Sequence, residues 1–305
     1  MRVTSRKKEH GVEVYDAGLN LVRVFPVPPR STYREPGSEG HAVTRSLDRL
    51  VYATDTAVLR VDPDGHEDWR FELGERGPNR GVAYTDVALS ADETLVWVYA
   101  PNTMADRSRP DEWILLDAAT GVPRARHELT TTGHGGDQFP LRDGRMLLEV
   151  GEGQDGISIF LAGPDTSPRE YGWGDRSLIS VSPDESRFMT VDHDQEDMRI
   201  HDFPSGEVQL RFTVSDFGFA PRDEVYFEWN GGFLDEHTAI AVLGGVNDQA
   251  ESEDEEEWWQ HFRIDVRTGE VLGELNVTTI DQYDLQVLGD GTYMITDTDG
   301  TLHRM

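Results

Sequence analysis

Cysteine does not occur in the 305 residues of this chain. Its absence excludes disulfide bonds, cysteine nucleophiles and metal sites built on thiolates. No stretch approaches the ~20 consecutive apolar residues that a membrane-spanning helix needs. The first ten residues, MRVTSRKKEH, are basic but lack the apolar segment of a signal peptide. We therefore expect a cytoplasmic protein that makes no contact with a membrane.

Positive charge is scarce as well. The chain has 28 basic and 58 acidic residues, a formal net charge of −30, and its only lysines are Lys7 and Lys8. The preference for arginine favours a bacterial source with a GC-rich genome or one adapted to salt. Because nucleic acids and anionic membranes bind basic surfaces, the charge argues against both as partners. It favours a protein partner of basic character, or serves solubility alone.

Helical periodicity is the third feature that is missing. No run places apolar residues at positions i, i+3, i+4 and i+7 over three turns. Short runs rich in Val, Leu, Ile, Tyr, Phe and Trp alternate instead with turn residues, which is the pattern of β-strands. Many short strands at even spacing indicate an all-β sandwich, barrel or propeller.

One element recurs along the chain and decides between these architectures. It is a strand that ends in aspartate, a short turn that contains glycine, and a return strand. It occurs at 12–25, 58–71, 113–126, 198–212 and 261–275, and less faithfully at 157–171. A second hairpin precedes each copy after the first, with turns at 46–50, 90–94, 141–145, 182–186 and 234–238, and one more, with its turn at 288–292, precedes the end of the chain. Each block is therefore predicted to be a four-stranded antiparallel meander, which is the blade of a β-propeller.

The pattern resembles the WD-repeat family and its looser bacterial relatives. GHAVTRSLDRLVYATDTAVLRVD (40–62) carries the family's Gly-His pair, and SVSPDESRFMTVDHDQEDMRIHD (180–202) carries its Ser-Pro-Asp turn. LDAATG (116–121) and DVRTGE (265–270) equally resemble the repeats of quinoprotein-like propellers. No Trp-Asp dipeptide occurs, and His201-Asp202 and Val61-Asp62 stand where it would be. The resemblance implies a single β-propeller domain over residues 1–305 and says little about function.

The spacing of the aspartate turns favours six blades of roughly 40–50 residues each. The strand near 20–27 would then complete the last blade, whose other strands come from 283–305, and so close the ring. Strand 11–16 fits this scheme badly, since it becomes an extra outer strand. Seven blades therefore remain the alternative.

The connections between the predicted strands differ in length in a systematic way. Turns within the two hairpins of each block are short. The long connections follow the second or the fourth strand of a blade, and they lie at 28–40, 74–81, 100–112, 130–137, 192–197, 214–223 and 244–257. Because strands alternate in direction, these connections share one face of the propeller. Loops that are longer than a hairpin needs are often functional, so this long-loop face is the predicted working face.

Several side chains of this face are candidates for binding a partner. The acidic run at 251–257 is interpreted as a solvated loop, and its functional alternative is a docking strip for a basic partner. Trp258 and Trp259 follow it, and alternation along a strand would place one inside and one outside. Arg34, Arg80, Arg107 and Arg109 would match an anionic ligand.

Catalytic candidates are few. His134 and Asp137 lie close together in GHGGDQF, and His193 and Asp194 lie in the loop DHDQED. The resemblance implies structural roles for His41 and His134, and for Asp55, Asp197 and Asp299 before third strands. Single loops of this kind do not surround an ion, so no metal site is predicted, and no cofactor is implied.

Two functions follow from these observations. The first is a non-enzymatic propeller that binds a protein partner through the long-loop face, which the absence of a catalytic motif favours. The alternative is an enzyme or small-molecule-binding propeller whose site lies in the central funnel of the same face, where the histidines and aspartates would act as acids and bases.

Overall fold

A computed structural model describes residues 4–8, 10–27, 40–77, 83–173, 175–220, 224–246, 257–296 and 299–305. These residues form 26 β-strands and two 3-10 helices, and no α-helix occurs among them. None of the helices in this part of the chain is long or apolar enough to cross a membrane. The chain divides into two compact units, Met1–Gly174 and Asp175–Met305.

The first unit contains four antiparallel sheets whose strands follow one another in chain order. The strands of the first two sheets are β1 (Thr4–Lys8), β2 (Gly11–Tyr15) and β3 (Leu21–Phe25), then β4 (His41–Val43), β5 (Leu50–Ala53), β6 (Ala57–Val61) and β7 (Glu67–Glu72). The strands of the next two are β8 (Asp86–Leu89), β9 (Leu95–Ala100), β10 (Asp111–Asp117) and β11 (Pro123–Leu129), then β12 (Gly135–Pro140), β13 (Met146–Gly151), β14 (Ile157–Ala162) and β15 (Arg169–Tyr171). A 3-10 helix, Gly153–Asp155, lies between β13 and β14.

The second unit contains three sheets of the same kind. Their strands are β16 (Arg176–Val181), β17 (Arg187–Asp192), β18 (Asp197–Asp202) and β19 (Val208–Thr213), then β20 (Val225–Phe233), β21 (Thr238–Val246), β22 (Glu257–Asp265) and β23 (Glu270–Leu275), and finally β24 (Gln286–Val287), β25 (Tyr293–Thr296) and β26 (Leu302–Arg304). The second 3-10 helix, Val214–Phe217, follows β19. Five of the seven sheets in the described chain are the predicted four-stranded meanders, which confirms the all-β class and the blade.

The prediction of six blades is wrong, because the described residues form seven sheets. Strand β3 was expected to complete the sheet of β24, β25 and β26, but it pairs with β2 in a separate three-stranded sheet. Strand 11–16 is accordingly not an extra outer strand but the middle strand of that sheet. The error arose at β1, whose sequence TSRKK has no apolar alternation and was not recognised as a strand.

Burial on both faces explains why these strands are so apolar. Val96 and Val98 of β9 pack in the core that the third sheet shares with the second. Trp97 and Tyr99 of the same strand point the opposite way, into the core shared with the fourth sheet. Each of these four side chains is fully buried, and each contributes about 1.5–3 kcal/mol through the removal of apolar surface from water.

Aspartates make the hairpin turns, as the repeat predicts. The Oδ1 atom of Asp265 accepts the backbone N–H groups of Arg267 and Thr268 at 2.8 and 3.3 Å. In the other hairpin of a blade, the Ser182 hydroxyl donates to Asp184 at 2.7 Å and accepts the Arg187 N–H at 2.9 Å. Short polar side chains that bind their own backbone favour turns over continued strand.

Asp197 is the most enclosed of the charged groups that hold the second unit together. Its carboxylate lies 2.7 Å from the guanidinium of Arg176, 2.9 Å from that of Arg199 and 2.8 Å from that of Arg211. Burial by itself would raise the pKa of Asp197, but the hydrogen bond from Arg199 and the charge of Arg176 outweigh it and lower that pKa. Asp197 therefore has the structural role that the sequence predicts.

His201 belongs to the same buried network and stands where the WD-repeat family has tryptophan. Its Nε2 atom lies 2.9 Å from the Thr190 hydroxyl, and its Nδ1 atom lies 3.1 Å from the Gly206 carbonyl oxygen. Burial lowers the pKa of His201 to about 4, so the ring is neutral at pH 7.

Replacing Asp197 should destabilise the second unit strongly. The Asp197→Asn variant leaves the buried guanidinium of Arg176 without its counter-charge, which costs about 3–5 kcal/mol of unfolding free energy. Urea denaturation of variant and wild type measures this loss. The matched control is Asp143→Asn, whose 2.7 Å ion pair with Arg145 is exposed and contributes about 0–1 kcal/mol. Equal losses in the two variants would show that the Asp197 network is not needed for stability.

Candidate functional site

Short and long connections lie at opposite ends of the sheets. At one end, which we call the long-loop end, connections after the second and fourth strands contact one another: Gly77 N–H donates to the Ala105 carbonyl at 3.1 Å, and Tyr84 N–H donates to the His134 carbonyl at 2.8 Å. At the other, the tight-turn end, Arg45 N–H donates to the Glu93 carboxylate at 2.7 Å. The first strand of each sheet therefore starts at the long-loop end.

Two carboxylates lie on neighbouring first strands in the first unit. Asp86 begins β8 and Asp137 is the third residue of β12, and these two strands contact each other. Asp86 is partly buried and Asp137 is exposed. The sequence analysis named Asp137 but not Asp86.

Asp86 is held by a chain of hydrogen bonds. Its Oδ2 atom accepts the side-chain amide of Gln138 at 2.8 Å. The amide oxygen of Gln138 in turn accepts the indole N–H of Trp113, again at 2.8 Å, and Trp113 is fully buried. Gly40 closes the other side, because a Cβ atom there would lie 2.5 Å from the Oδ1 atom of Asp86. The position of this carboxylate is thus fixed by its surroundings.

The two aspartates are short of positive charge. Burial, followed by the negative charge of Asp137, raises the pKa of Asp86 to about 7. Surrounding protein atoms also raise the pKa of Asp137 by partial desolvation. Because the side chain remains accessible to solvent, water limits this rise. Neither forms an ion pair with any residue of the described ranges. A cation that approached them would lower both pKa values, so the pair is suited to binding a positively charged group.

His134 does not join this pair. Its ring lies against Gly153, where a Cβ atom would be 2.9 Å from the ring's Cε1 atom. No hydrogen bond connects His134 with Asp137 within the part of the chain that the structure describes. His41, the other histidine of a Gly-His pair, lies 3.0 Å from the Ser5 hydroxyl, and burial lowers its pKa to about 4. Both histidines bridge neighbouring segments, and a catalytic role for His134 stays a prediction.

His193 and Asp194 are in the second unit. The ring of His193 stacks on that of Trp229 with 6.0 Å between centroids, and the Trp229 indole donates to the Asp192 carbonyl at 3.2 Å. Asp194 is exposed. The same loop is tied to β20, because the N–H of Phe227 donates to the Gln195 carbonyl at 2.9 Å. His193 and Asp194 thus lie in the connection between β17 and β18 of one sheet, and their catalytic role stays a prediction too.

Two of the four predicted arginines brace the long connections. Arg107 donates to the carbonyl oxygens of Asp55 and Gly74, the latter at 3.2 Å. Arg109 donates to the Leu73 carbonyl. Burial is the main reason that the pKa of Arg107 falls to about 10, so its side chain is still charged at pH 7. Arg34 and Arg80 lie outside the described residues, and ligand binding by all four stays a prediction.

Trp258 and Trp259 are both partly buried. Trp258 lies over Gly245, where a Cβ atom would be 2.5 Å from its ring, and close to Phe219 with 5.7 Å between ring centroids. Trp259 donates its indole N–H to the Thr279 hydroxyl at 2.7 Å. Both rings contribute to the packing of their sheet, and a role as partner anchors stays a prediction. Residues 251–256 of the acidic run lie outside the described residues.

One group in the described chain has the composition of a metal site. Asp62, Asp64 and His66 place ligand atoms within 4.8 Å of one another. They form a hairpin turn, in which the Oδ1 atom of Asp62 accepts the backbone N–H groups of Asp64 and His66 at 2.9 Å each. The turn explains the arrangement without an ion.

Two carboxylates that have unusual surroundings, Asp86 and Glu228, were not predicted from the sequence as site residues. Burial, together with the charge of Glu257, raises the pKa of Glu228 to about 7. Both lie inside apolar strand sequences, TDVAL and YFEWN. An acidic residue within such a run was the available signal.

Comparison with solved structures shows the fold. The structure is similar to that of BamB from Moraxella catarrhalis, with a TM-score of 0.56 and 13% identity over 99% of this chain and 81% of BamB. It is also similar to the dihydro-heme d1 dehydrogenase NirN in complex with DHE, with a TM-score of 0.53 and 14% identity over 99% of this chain and 62% of NirN. The Dos1 propeller matches with a TM-score of 0.56 and 16% identity over 87% of this chain and 65% of that one.

Models of known protein families give no match, and neither do curated protein sequences. At such low identities the likeness to solved structures shows the fold alone. The chain has the β-propeller fold that its resemblance to WD-repeat and quinoprotein-like proteins predicts.

Removing the charge of Asp86 should stabilise the protein at neutral and alkaline pH. The pKa of Asp86 rises from 3.8 in the unfolded chain to about 7 in the fold, so wild-type stability falls as pH rises between these values. The Asp86→Asn variant keeps an acceptor for Gln138. Its melting temperature should exceed that of wild type at pH 8, and the difference should shrink towards pH 4. The exposed Asp165→Asn serves as control, and a difference independent of pH would contradict the shift.

Proposed function

We propose that this protein is a non-enzymatic β-propeller that binds a protein partner through its long-loop end. A basic segment of the partner supplies the positive charge that Asp86 and Asp137 lack. The observation that carries this proposal is the pair itself, two carboxylates on adjoining strands without an ion pair among the described residues. The interaction takes place in the cytoplasm, in keeping with the absence of cysteine.

Electrostatics supports a basic partner in two ways. A carboxylate that is partly withdrawn from water is destabilised until a cation or a proton neutralises it, so binding of lysine or arginine recovers free energy that the unbound fold lacks. The net charge of −30 attracts a basic partner over longer distances and raises the association rate at low salt. Nucleic acid is not the proposed partner, because the same charge repels phosphate.

A propeller that binds a small cationic molecule, or acts on one, is the second candidate. The observation in its favour is the pKa of about 7 of Asp86, since a group that titrates near neutral pH is suited to general acid–base catalysis. His134, His193 and Asp194 add nothing to this site in the described structure. We rank this function second because no histidine forms a hydrogen bond with Asp86 or Asp137 within the described ranges.

Binding of defined peptides tests the proposed function. The probe is a fluorescent peptide with four lysine or arginine residues in a Gly-Ser sequence, and its analogue has alanine at those four positions. We expect fluorescence anisotropy at ~0.1 M salt to show binding of the basic peptide alone. The double variant Asp86→Asn, Asp137→Asn should weaken that binding at least tenfold, because it removes both carboxylates from the proposed site.

The control is a double variant that removes the same charge from the tight-turn end, Asp165→Asn with Glu236→Gln. Both of its positions are exposed, and it should change the affinity less than twofold. Equal losses in the two double variants would show that the peptide senses only the overall charge. That outcome, or a wild type that does not bind the basic peptide, would reject the proposed function.

A further inference from the structure

Four side chains from three separate segments meet at the long-loop end of the second unit. Tyr226 and Glu228 lie in β20, Glu257 begins β22, and Tyr283 lies in the connection after β23. Tyr283 is held beside β20, because the Asn230 side-chain amide donates to the carbonyl oxygen of Gln282 at 2.7 Å, and the charge of Glu228 acts on the Tyr283 hydroxyl. Glu257 is close enough for its charge to act on both Tyr226 and Glu228. We call Tyr226, Glu228 and Tyr283, with Glu257 at the rim, the Tyr-Glu cluster.

Irregular backbone creates the room for this cluster. The register of β20 against β21 shifts between Phe227 and Gly231, so Glu228 lies in a bulge. Gly244 is paired with Tyr226 across the strands. A Cβ atom at Gly244 would lie 2.3 Å from the Oε1 atom of Glu228 and 2.9 Å from the ring of Tyr226. Glycine thus lets the carboxylate and the ring lie directly on the backbone.

The carboxylate of Glu228 has no counter-charge among the residues that the structure describes. Glu228 is only 5% exposed. The charge that acts on it, that of Glu257, is negative. By comparison, Asp197 is equally buried but lies within 2.9 Å of three arginines. A buried carboxylate without a cation is costly, and its surroundings favour a cationic ligand.

Aromatic rings beside the carboxylate narrow the chemistry of that ligand. Tyr283 is 52% exposed, and Tyr226 is partly buried. The face of a tyrosine ring attracts a cation, with about 0.5–2 kcal/mol depending on desolvation. Two aromatic rings and one buried carboxylate suit a ligand that has a compact positive charge at the end of an apolar chain.

We propose that the Tyr-Glu cluster binds the ammonium group of a lysine side chain, presented by a protein partner. This proposal rests on the proposed function, which supplies the protein partner. It adds a second contact with that partner, in which an ammonium group meets aromatic rings and a carboxylate. Lysine is favoured over arginine because the Oε1 atom of Glu228 lies directly against the backbone at Gly244. The carboxylate is then not free to receive a guanidinium through two parallel hydrogen bonds.

Titration with small cations tests the pocket without any partner protein. The probe is n-butylammonium, which has the charge and stem of lysine, and the reference is uncharged 1-butanol. NMR spectra of the tyrosine rings, at constant ionic strength, report occupancy of the site. We expect saturable shifts of the Tyr226 and Tyr283 resonances with butylammonium and none with 1-butanol, because the alcohol offers no charge to the rings or to Glu228.

Two variants assign the binding to this cluster. Glu228→Gln keeps a hydrogen-bonding side chain and should lower the affinity for butylammonium at least tenfold. Tyr283→Ala changes an exposed side chain, so it should fold normally, and it should lower the affinity at least threefold. Glu236→Gln, at the tight-turn end, removes one charge elsewhere and should leave the affinity unchanged.

Several results would overturn the proposal that the Tyr-Glu cluster binds lysine. Similar shifts with 1-butanol would show apolar contact alone, and an unchanged affinity of Glu228→Gln would remove the carboxylate from the site. An n-butylguanidinium affinity ten times that of butylammonium would reject lysine. If butylammonium binds as expected but the basic peptide does not, the cluster stands and the proposed function fails. If the peptide binds and butylammonium does not, the reverse holds.

Discussion

Sheets that are covered on both faces impose the main constraint on this chain. Such a sheet has no side for water, so its strands must be apolar at successive positions rather than at every second one. Strand β9, LVWVYA, follows this rule and sends alternate side chains into two different cores. Any polar group that enters such a core must find partners inside the protein, because water cannot reach it.

Buried carboxylates meet this requirement in two different ways. Asp111, which is fully buried, accepts the hydroxyl of Thr131 at 2.9 Å and the N–H of Gly133 at 2.7 Å. Asp197 is neutralised by three arginines. Asp111 and Asp197 each connect the third strand of a sheet to neighbouring segments, so both carboxylates have structural roles. Asp86 accepts the neutral amide of Gln138, and neither Asp86 nor Glu228 has an ion pair with a residue that the structure describes. It is this difference that marks them as binding groups.

The sequence predicted those parts of the fold that depend on local chemistry. Aspartate turns such as that of Asp265 were recognised because a short polar side chain binds the backbone a few residues away. The first sheet was not recognised, because β1 has no apolar pattern and can be identified only by its pairing with β2. The candidate site depends on still longer separations. Asp86 and Asp137 meet through the contact of two first strands, and the bulge at Glu228 moves one carboxylate in a way that no local pattern signals.

Chain direction explains why the candidate groups of both units lie at the same kind of end. Every first strand starts at the long-loop end, so its first residues lie beside the connections of that end. Asp86 is the first residue of β8, Asp137 the third of β12 and Tyr226 the second of β20. Further along these strands, Val87 and Phe233 are buried. An exposed polar residue on a first strand, such as Asp137, can therefore change without disturbing the core, whereas the tight turns at the other end are fixed by the hydrogen bonds that make them. The long-loop end is the surface on which such a fold can acquire a binding site at the lowest loss of stability.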